Sequence, residues 1–226
     1  MRIVCISDTH NQHRGIEVPD GDLLIHAGDG TGSGDFRETA AWLTWIDELP
    51  HPHKILIAGN HDWTFQRDPD IAALLLKDHP GITYLQDSGC VVDDFWIWGS
   101  PWQPMFMFWA FNLPRGPMLR EKWNQIPFDT DILVTHGPPC GILDRVMPEP
   151  PGGWAQDQDP PAHLGCEELL IRVRNIRPRL HVFGHIHGGY GIHKDRRTTY
   201  MNASICNESY HPVNAPLVLD LRKTRR

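Results

Sequence analysis

A chain of 226 residues with 40% hydrophobic and 22% charged residues has an ordinary globular composition and can bury a substantial core. Its formal charge of −7 argues against a general nucleic-acid-binding surface, which carries an excess of Lys and Arg. The five cysteines include no C-x-x-C pair, which favours reduced thiols over a disulfide framework. No apolar stretch is long enough to cross a membrane and no secretion signal follows Met1. We therefore expect a cytoplasmic protein without membrane contact.

The first hundred residues alternate between strand-like and helix-like patterns. The spacing of apolar residues predicts a helix over 36–49, with Asp35 as its N-cap, and a shorter helix over 70–77. Short apolar runs between turn residues predict strands at 3–6, 23–25, 54–58, 82–85, 90–92 and 95–98. This alternation indicates an α/β layered domain.

The rest of the chain is less regular. Residues 99–130 contain many Trp, Phe and Pro residues without a helical or alternating period, so we expect an ordered, aromatic-rich insertion there. Residues 147–161 are predicted to be a surface loop, and the basic end at 222–226 a solvated tail. One helix, at 167–176, and four strands are predicted in addition, the strands at 131–135, 180–183, 198–201 and 217–220. We find no internal repeat and expect one domain over residues 1–226.

Five of the predicted strands end in side chains that can bind a metal ion. The ends carry seven candidate ligands: Asp8, His10, Asp29, Asn60, His136, His185 and His187. Because ligands of α/β proteins collect beyond the carboxyl ends of the strands, these residues can share one edge. The pairs Asp8/His10 and His185/His187 are each two residues apart, which puts both side chains on one side of an extended segment.

The mixture of imidazole and carboxylate ligands suits first-row transition ions. Mn, Fe, Ni, Co and Zn accept such ligands, whereas Ca and Mg sites use mostly oxygen. Seven ligands are more than one ion normally takes, and one shared carboxylate would divide them into two sets. Two ions about 3.5–4 Å apart clamp the attacking and leaving oxygens in a phosphoryl transfer.

Each of these residues has a more ordinary explanation when it is taken alone. Asp8 or His10 would usually form a cap or a turn, and His136 would usually be a hydrogen-bonded histidine at a strand end. Asn60 could simply adopt the left-handed conformation of a turn. The combination, in one order along one chain, favours a dinuclear metal site over these separate explanations.

The motifs resemble those of the calcineurin-like metallophosphoesterase superfamily. The resemblance covers nearly the whole chain and is closest to the MPPED-type metallophosphoesterase-domain proteins of animals and their bacterial relatives. It rests on Asp8-Thr9-His10, Gly28-Asp29, Gly59-Asn60-His61-Asp62, His136-Gly137 and Gly184-His185-Ile186-His187. The MPPED-type resemblance rests on Gly99–Pro104, Phe111–Gly116, Thr135–Pro139 and Phe183–His187. It implies a four-layer α/β/β/α sandwich of two mixed sheets, with two divalent metal ions at the ends of the strands.

The resemblance also implies a role for each residue. Asp8, His10 and His187 would hold the first ion, Asn60, His136 and His185 the second, and Asp29 would bridge them. A hydroxide between the ions would attack phosphorus in line. His61 would donate a proton to the leaving oxygen as general acid, with Asp62 as its orienting partner.

The substrate implied by the MPPED-type relatives is a small phosphodiester such as a cyclic nucleotide. Trp102 and Trp109 could stack a nucleobase, and Arg115 could contact a phosphate. The alternative for each aromatic residue is packing onto the core or a homodimer contact.

Several other functions are compatible with parts of the same motifs. A phosphomonoesterase or a protein phosphatase would share the metal centre, but protein phosphatases continue past Gly-Asp with an arginine followed by a glycine, and the segment Gly30–Ser33 has no arginine. A DNA nuclease is disfavoured by the acidic charge balance. A non-catalytic metal-binding interaction module would be expected to lack some of the ligands, and none is missing.

Overall fold

The computed structural model describes residues 1–146 and 163–222; the predicted 147–161 loop and the last four residues of the predicted tail lie outside these described ranges. The described residues form five α-helices: α1 (Phe36–Glu48), α2 (Trp63–Arg67), α3 (Pro69–Lys77), α4 (Pro117–Asn124) and α5 (Glu167–Ile176). They also form thirteen strands: β1 (Arg2–Ile6), β2 (Leu23–His26), β3 (His53–Leu56), β4 (Ile82–Tyr84), β5 (Ser88–Val92), β6 (Phe95–Ser100), β7 (Gln103–Pro104), β8 (Asn112–Leu113), β9 (Ile132–Thr135), β10 (Leu180–Phe183), β11 (Gly191–Lys194), β12 (Thr199–Asn202) and β13 (Leu217–Asp220).

Two large mixed sheets contain most of the strands. The first has the spatial order β13-β1-β2-β3-β4, in which β1 to β4 run parallel and β13 is antiparallel to β1. The second has the order β11-β12-β10-β9-β6-β5, with four parallel central strands and antiparallel strands at both edges. A short parallel pair, β7 and β8, lies apart from both.

Side chains alternate between two faces along each strand, and this alternation builds the layers. In β1, Ile3 and Cys5 pack with Ile132 and Val182 of the second sheet, whereas Val4 faces the opposite way. The outer face of the first sheet packs against helices α1 and α3 through Trp42, Leu43, Ile46 and Ala72. The outer face of the second packs against α4 and α5 through Leu119, Trp123, Leu169 and Val173. The expected four-layer α/β/β/α sandwich is therefore confirmed.

The long helix α1 begins where the sequence predicts. The Asp35 side chain accepts hydrogen bonds from the backbone N–H groups of Arg37 and Glu38, at 2.8 and 3.0 Å, which satisfies two donors of the first turn. The helix ends before Pro50, which cannot continue it.

Two short helices correct the sequence interpretation. Residues 99–130 were expected to have no helix, but α4 begins at Pro117, directly after Gly116 with φ +92°, and buries only Leu119 and Trp123. One buried i, i+4 pair is too little to produce a visible helical period. Helix α2 is shorter still and was also not predicted. No helix in the described ranges is long and apolar enough to span a membrane.

Candidate metal centre

The carboxyl ends of both sheets meet at one edge of the sandwich. Parallel pairing of β1, β2 and β3 brings the loops with Asp8, Asp29 and Asn60 together. Parallel pairing of β9 and β10 likewise brings His136, which follows β9, close to His185 and His187, which follow β10. The two sheets are joined here because both carboxylate oxygens of Asp8 accept hydrogen bonds from the backbone N–H of His185, at 3.0 Å. Residues separated by 177 positions thus become neighbours.

One group of ligating atoms consists of Asp8, His10 and His187. The Nε2 atoms of His10 and His187 lie 3.2 Å apart, and the Nε2 atom of His187 lies 3.4 Å from Asp8 Oδ1. The three side chains offer ligand atoms that all lie within 4.8 Å of one another. Asp8 is fully buried and His10 nearly so, so the group faces little solvent.

A second group consists of Asp29, His136 and His185, whose ligand atoms also lie within 4.8 Å of one another. The Oδ2 atom of Asp29 lies 3.2 Å from His136 Nε2, and Asn60 Oδ1 lies 3.0 Å from the same nitrogen. The structure therefore brings all seven candidate ligands together. Asn60, which could have been a simple turn residue, presents its oxygen to this group.

Asp29 lies between the two groups. Its Oδ2 atom is 3.2 Å from His136 Nε2 on one side and 3.9 Å from His10 Nε2 on the other. Its other oxygen accepts a hydrogen bond from the His61 backbone N–H at 2.7 Å, which fixes the plane of the carboxylate. Asp29 is the carboxylate within reach of ligands from both groups, as a bridging role requires.

The backbone at these ligands is strained. Asp8, His10, Asp29 and His185 have φ values of +52°, +40°, +54° and +66°, a left-handed region that non-glycine residues rarely adopt. Glycine precedes His185 because a Cβ at Gly184 would lie 1.9 Å from Asp8 Oδ2. Strain of this kind persists where the surrounding structure holds it, and it directs the ligand side chains toward one point.

Backbone carbonyls set the orientation of the imidazoles. The Nδ1 atoms of His10, His136 and His187 lie 3.2, 2.9 and 2.9 Å from the carbonyl oxygens of Thr31, Ala27 and Asn207. A carbonyl only accepts, so each Nδ1 carries the proton and each Nε2 is directed toward the carboxylates. This is the tautomer and orientation that metal-ligating histidines adopt, so the residues present fit a pair of divalent ions.

The charges of the site are unusual for a buried region. Burial alone would raise the pKa of Asp29, but the charges of His136, His61 and His10 and the hydrogen bond from His136 together hold that pKa well below its usual range. Burial also opposes the charge of His136, yet the Asp29 carboxylate raises the pKa of His136 to about 9. Burial lowers the pKa of His185 to about 3, so this imidazole is neutral near pH 7.

His61 lies at the edge of the two groups and is partly exposed. Its Nδ1 atom donates to the carbonyl of Gly32 at 2.6 Å, and its ring stacks on that of Trp109 with 4.2 Å between the centroids. The ring of His10 lies edge-on at 4.7 Å. With Nδ1 occupied, Nε2 is the atom that can transfer a proton.

Asp62 does not orient His61 in the way that the sequence suggested. One of its oxygens accepts from the backbone N–H groups of Asp29 and Gly59, at 2.8 and 2.7 Å. The other accepts from the N–H and hydroxyl of Thr31, at 3.1 and 2.7 Å. Burial and the Asp29 charge raise the pKa of Asp62 to about 6. Asp62 thus joins two ligand loops, the one that carries Asp29 and the one that carries Asn60, whereas the partner of His61 is the Gly32 carbonyl.

The three predicted substrate contacts have different surroundings. The Trp102 indole donates to Asp87 at 2.8 Å and packs under Lys122, and the Arg115 guanidinium bonds Glu167 and the carbonyls of residues 164 and 165. Trp102 therefore packs within the protein, as the alternative explanation describes, and the Arg115 guanidinium is engaged in hydrogen bonds within the chain. Trp109 lies against His61 at the metal centre.

Sequence reasoning missed several residues of the site. The Tyr210 ring lies 4.8 Å from that of His10 and 5.5 Å from that of His187, and it is 47% exposed. The Ser204 hydroxyl donates to Asp8 Oδ2 at 2.9 Å. Ser204 lies two residues after the end of β12, but serine is not a usual metal ligand, and Tyr210 belongs to an irregular segment that no motif marks.

Comparison with known proteins agrees with this geometry. A family model described as calcineurin-like phosphoesterase matches residues 1–189. The chain belongs to the calcineurin-like phosphoesterase family. Metallophosphoesterase domain-containing protein 1 of Homo sapiens and that of Mus musculus are each 46% identical to it over a 245-residue alignment, which covers 99% of this chain and 72% of each relative.

Solved structures of this fold are more distant in sequence. The crystal structure of TT1561 of Thermus thermophilus has a TM-score of 0.58 and 15% identity, covering 89% of this chain and 88% of that one, and it supports the fold alone. Family membership together with the clustered His and Asp residues supports a metal-dependent phosphoesterase, of a family that typically uses two divalent ions. Its substrate is accordingly a small phosphate ester.

Proposed function

We propose that this phosphoesterase holds two divalent transition ions and hydrolyses small phosphodiesters, with cyclic nucleotides as the first candidates. Asp8, His10 and His187 would hold one ion. Asn60, His136 and His185 would hold the other, with Asp29 shared. The single observation that carries the proposal is the position of Asp29 Oδ2, 3.2 Å from an imidazole of one group and 3.9 Å from an imidazole of the other.

Two bound cations would supply the positive charge that activates a water molecule and stabilises the phosphoryl oxygens. Mn, Fe, Ni, Co and Zn all suit the donor set. The chain supplies the proton for the leaving oxygen. His61 donates it from Nε2, because Nδ1 is held by the Gly32 carbonyl, and the fixed imidazole needs no reorientation during the reaction.

The substrate preference is argued from the rim of the site. Trp109 and the exposed ring of Tyr210 flank His61, with centroids 4.2 and 6.2 Å from its ring. The planar base of a nucleotide, carried by the sugar whose oxygen leaves, can stack on such rings, and base stacking on aromatic side chains contributes about 1–3 kcal/mol per base. We therefore propose a nucleotide diester rather than an aliphatic one.

Other parts of the biological setting are also proposals. All five cysteines are free thiols, which is consistent with the expected cytoplasmic location. One domain over residues 1–226, the homodimer and the absence of general nucleic acid binding stay predictions.

The test is a metal assay combined with a substrate panel. Purified protein would be loaded with Mn, Fe, Ni, Co or Zn and supplied with phosphomonoesters, linear phosphodiesters and cyclic nucleotides. We expect about two ions per chain and the fastest turnover on cyclic nucleotides. Faster turnover on monoesters would favour a phosphomonoesterase, and bound metal without any turnover would favour a binding module.

A further inference from the structure

The loop between β2 and α1 contains an arrangement of backbone donors that the mechanism has not used. The N–H groups of Gly32, Ser33 and Gly34 all donate to one atom, Glu38 Oε2, at 3.1, 2.7 and 3.0 Å. Three successive N–H groups that converge on one point form an anion-binding nest. Here the anion is a carboxylate of the chain itself, from the first turn of α1.

The position of Glu38 in the helix makes this arrangement unusual. Glu38 is the third residue of α1, and in a capping box the side chain at that position reaches back to the N–H of the N-cap residue, which is Asp35. Glu38 reaches further, to the three residues before Asp35. Although partial burial acts to raise it, the hydrogen bonds from Ser33 and Gly34 hold the pKa of Glu38 below its ordinary value.

The loop fixed by Glu38 carries the partner of His61. The N–H of Gly32 donates to the Glu38 carboxylate, and the carbonyl of Gly32 accepts from His61 Nδ1 at 2.6 Å. The carbonyl one residue earlier, on Thr31, accepts from His10, but Thr31 is held separately by Asp62. Different carboxylates thus hold the two carbonyl groups, Glu38 at Gly32 beside His61 and Asp62 at Thr31 beside His10.

We propose that Glu38 is a positioning residue for His61, which it holds through the Gly32–Gly34 loop so that Nε2 faces the leaving oxygen. This inference rests on the proposed role of His61 as general acid. It makes a selective prediction, because a general acid is needed for a poor leaving group such as an alkoxide and much less for a nitrophenolate. Loss of Glu38 should therefore slow diesters with alkoxide leaving groups and spare nitrophenyl diesters.

The experiment compares Glu38→Ala with Asp35→Ala. Asp35 caps the same helix, and its carboxylate bonds the N–H groups of Arg37 and Glu38 rather than the nest, so its loss weakens α1 and leaves the nest in place. For Glu38→Ala we expect kcat on an alkyl phosphodiester to fall about 10- to 100-fold, the range for lost supporting hydrogen bonds, with bound metal unchanged. Asp35→Ala should change kcat on both substrates by the same small factor. Glu38→Gln keeps an acceptor of similar reach and should recover part of the loss.

A spectroscopic measurement keeps the test independent of turnover. In protein with ¹⁵N-labelled histidine, both metal-free and zinc-loaded, the neutral form of the His61 ring should hold one tautomer with its proton on Nδ1, whereas the acid form that donates from Nε2 carries protons on both nitrogens. Glu38→Ala should give averaged ring nitrogen shifts for His61, whereas Asp35→Ala should not. An unchanged His61 spectrum, or equal losses on both substrates, would overturn the inference.

His61→Ala separates this inference from the function on which it rests. If His61→Ala shows the leaving-group dependence and Glu38→Ala does not, Glu38 has no positioning role. If His61→Ala itself shows none, the general acid has been misassigned and the proposed mechanism fails first.

Discussion

The strand-end loops and the aromatic segment at 99–130 use their side chains in opposite ways. In the loops, the backbone fixes where the ligands point. Several ligands have positive φ, the Asp8 carboxylate lies directly against Gly184, and backbone carbonyls accept hydrogen bonds from the imidazoles. In the aromatic segment, Trp102 and Arg115 are bound to other parts of the chain, and Trp109 reaches the centre. The candidate ligands therefore lie in the loops, whereas the segment mainly packs and contributes a rim.

Substitution of Asp29 should have the largest effect, since this comparison assigns the shared position to it. Asp29→Asn should leave fewer than two ions per chain and reduce turnover roughly 10⁴-fold or more, because both activation of water and charge stabilisation need the ions. Elemental analysis and initial rates measure the two effects. Asp93→Asn is the matched control, because Asp93 also has positive φ, +47°, but is exposed in a turn. Equal behaviour of the two variants would refute the bridging role.

Removal of His61 should affect turnover and leave metal binding intact. His61→Ala should lower kcat about 10²- to 10⁴-fold on an alkyl diester, the usual contribution of a general acid, while bound metal stays near two ions per chain. His193→Ala, on the exposed part of strand β11, is the control and should be neutral. Loss of metal from the His61 variant would instead make His61 a ligand.

Metal uptake should depend on pH in a defined direction. The metal-free protein keeps a proton on His136, whose pKa is about 9, and this proton must leave before the imidazole binds a cation. The apparent affinity should therefore rise roughly tenfold per pH unit between pH 7 and about 9 and then level off. Titration calorimetry in buffers of different ionisation enthalpy should detect at least one released proton near pH 7, because the pKa of His187 is raised as well. An affinity that is flat over this range would contradict the arrangement around His136.

The two tryptophans of the aromatic segment should separate packing from substrate contact. Trp102→Ala should lower the free energy of unfolding by about 2 kcal/mol with little change in KM, because its ring is partly buried and bonded to Asp87. Trp109→Ala should raise KM for a cyclic nucleotide about tenfold. The same substitution should change KM less for a methyl phosphodiester, which has no base to stack. Chemical denaturation and steady-state kinetics on both variants measure these effects. A large rise in KM for Trp102→Ala, with a loss of stability alone for Trp109→Ala, would contradict this division between packing and substrate contact.

Much of the fold and the whole set of clustered ligands could be anticipated from the sequence. Strands such as β2 and β10 combine an apolar run with a glycine and a ligand directly after it, so one local pattern encodes both structure and chemistry. The roles of the individual ligands stay predictions until metal is measured.

The remaining parts of the site could not be read from local patterns. The partner of His61 is a backbone carbonyl, which any residue type supplies, and the neighbouring Asp62 was assigned to it wrongly because adjacent side chains in a tight turn point in different directions. Tyr210 approaches His10 only through tertiary folding of a loop with φ +59° at that residue. Helix α4 was missed because it buries too few residues to create a period.

The central claim is that Asp29 shares two ions with the ligands on either side of it. Anomalous diffraction from manganese-soaked crystals tests this claim most directly. We predict two peaks about 3.5–4 Å apart with the Asp29 carboxylate between them, one beside His10 and His187 and the other beside His136 and His185. A single peak, or two peaks that Asp29 does not join, would contradict the account.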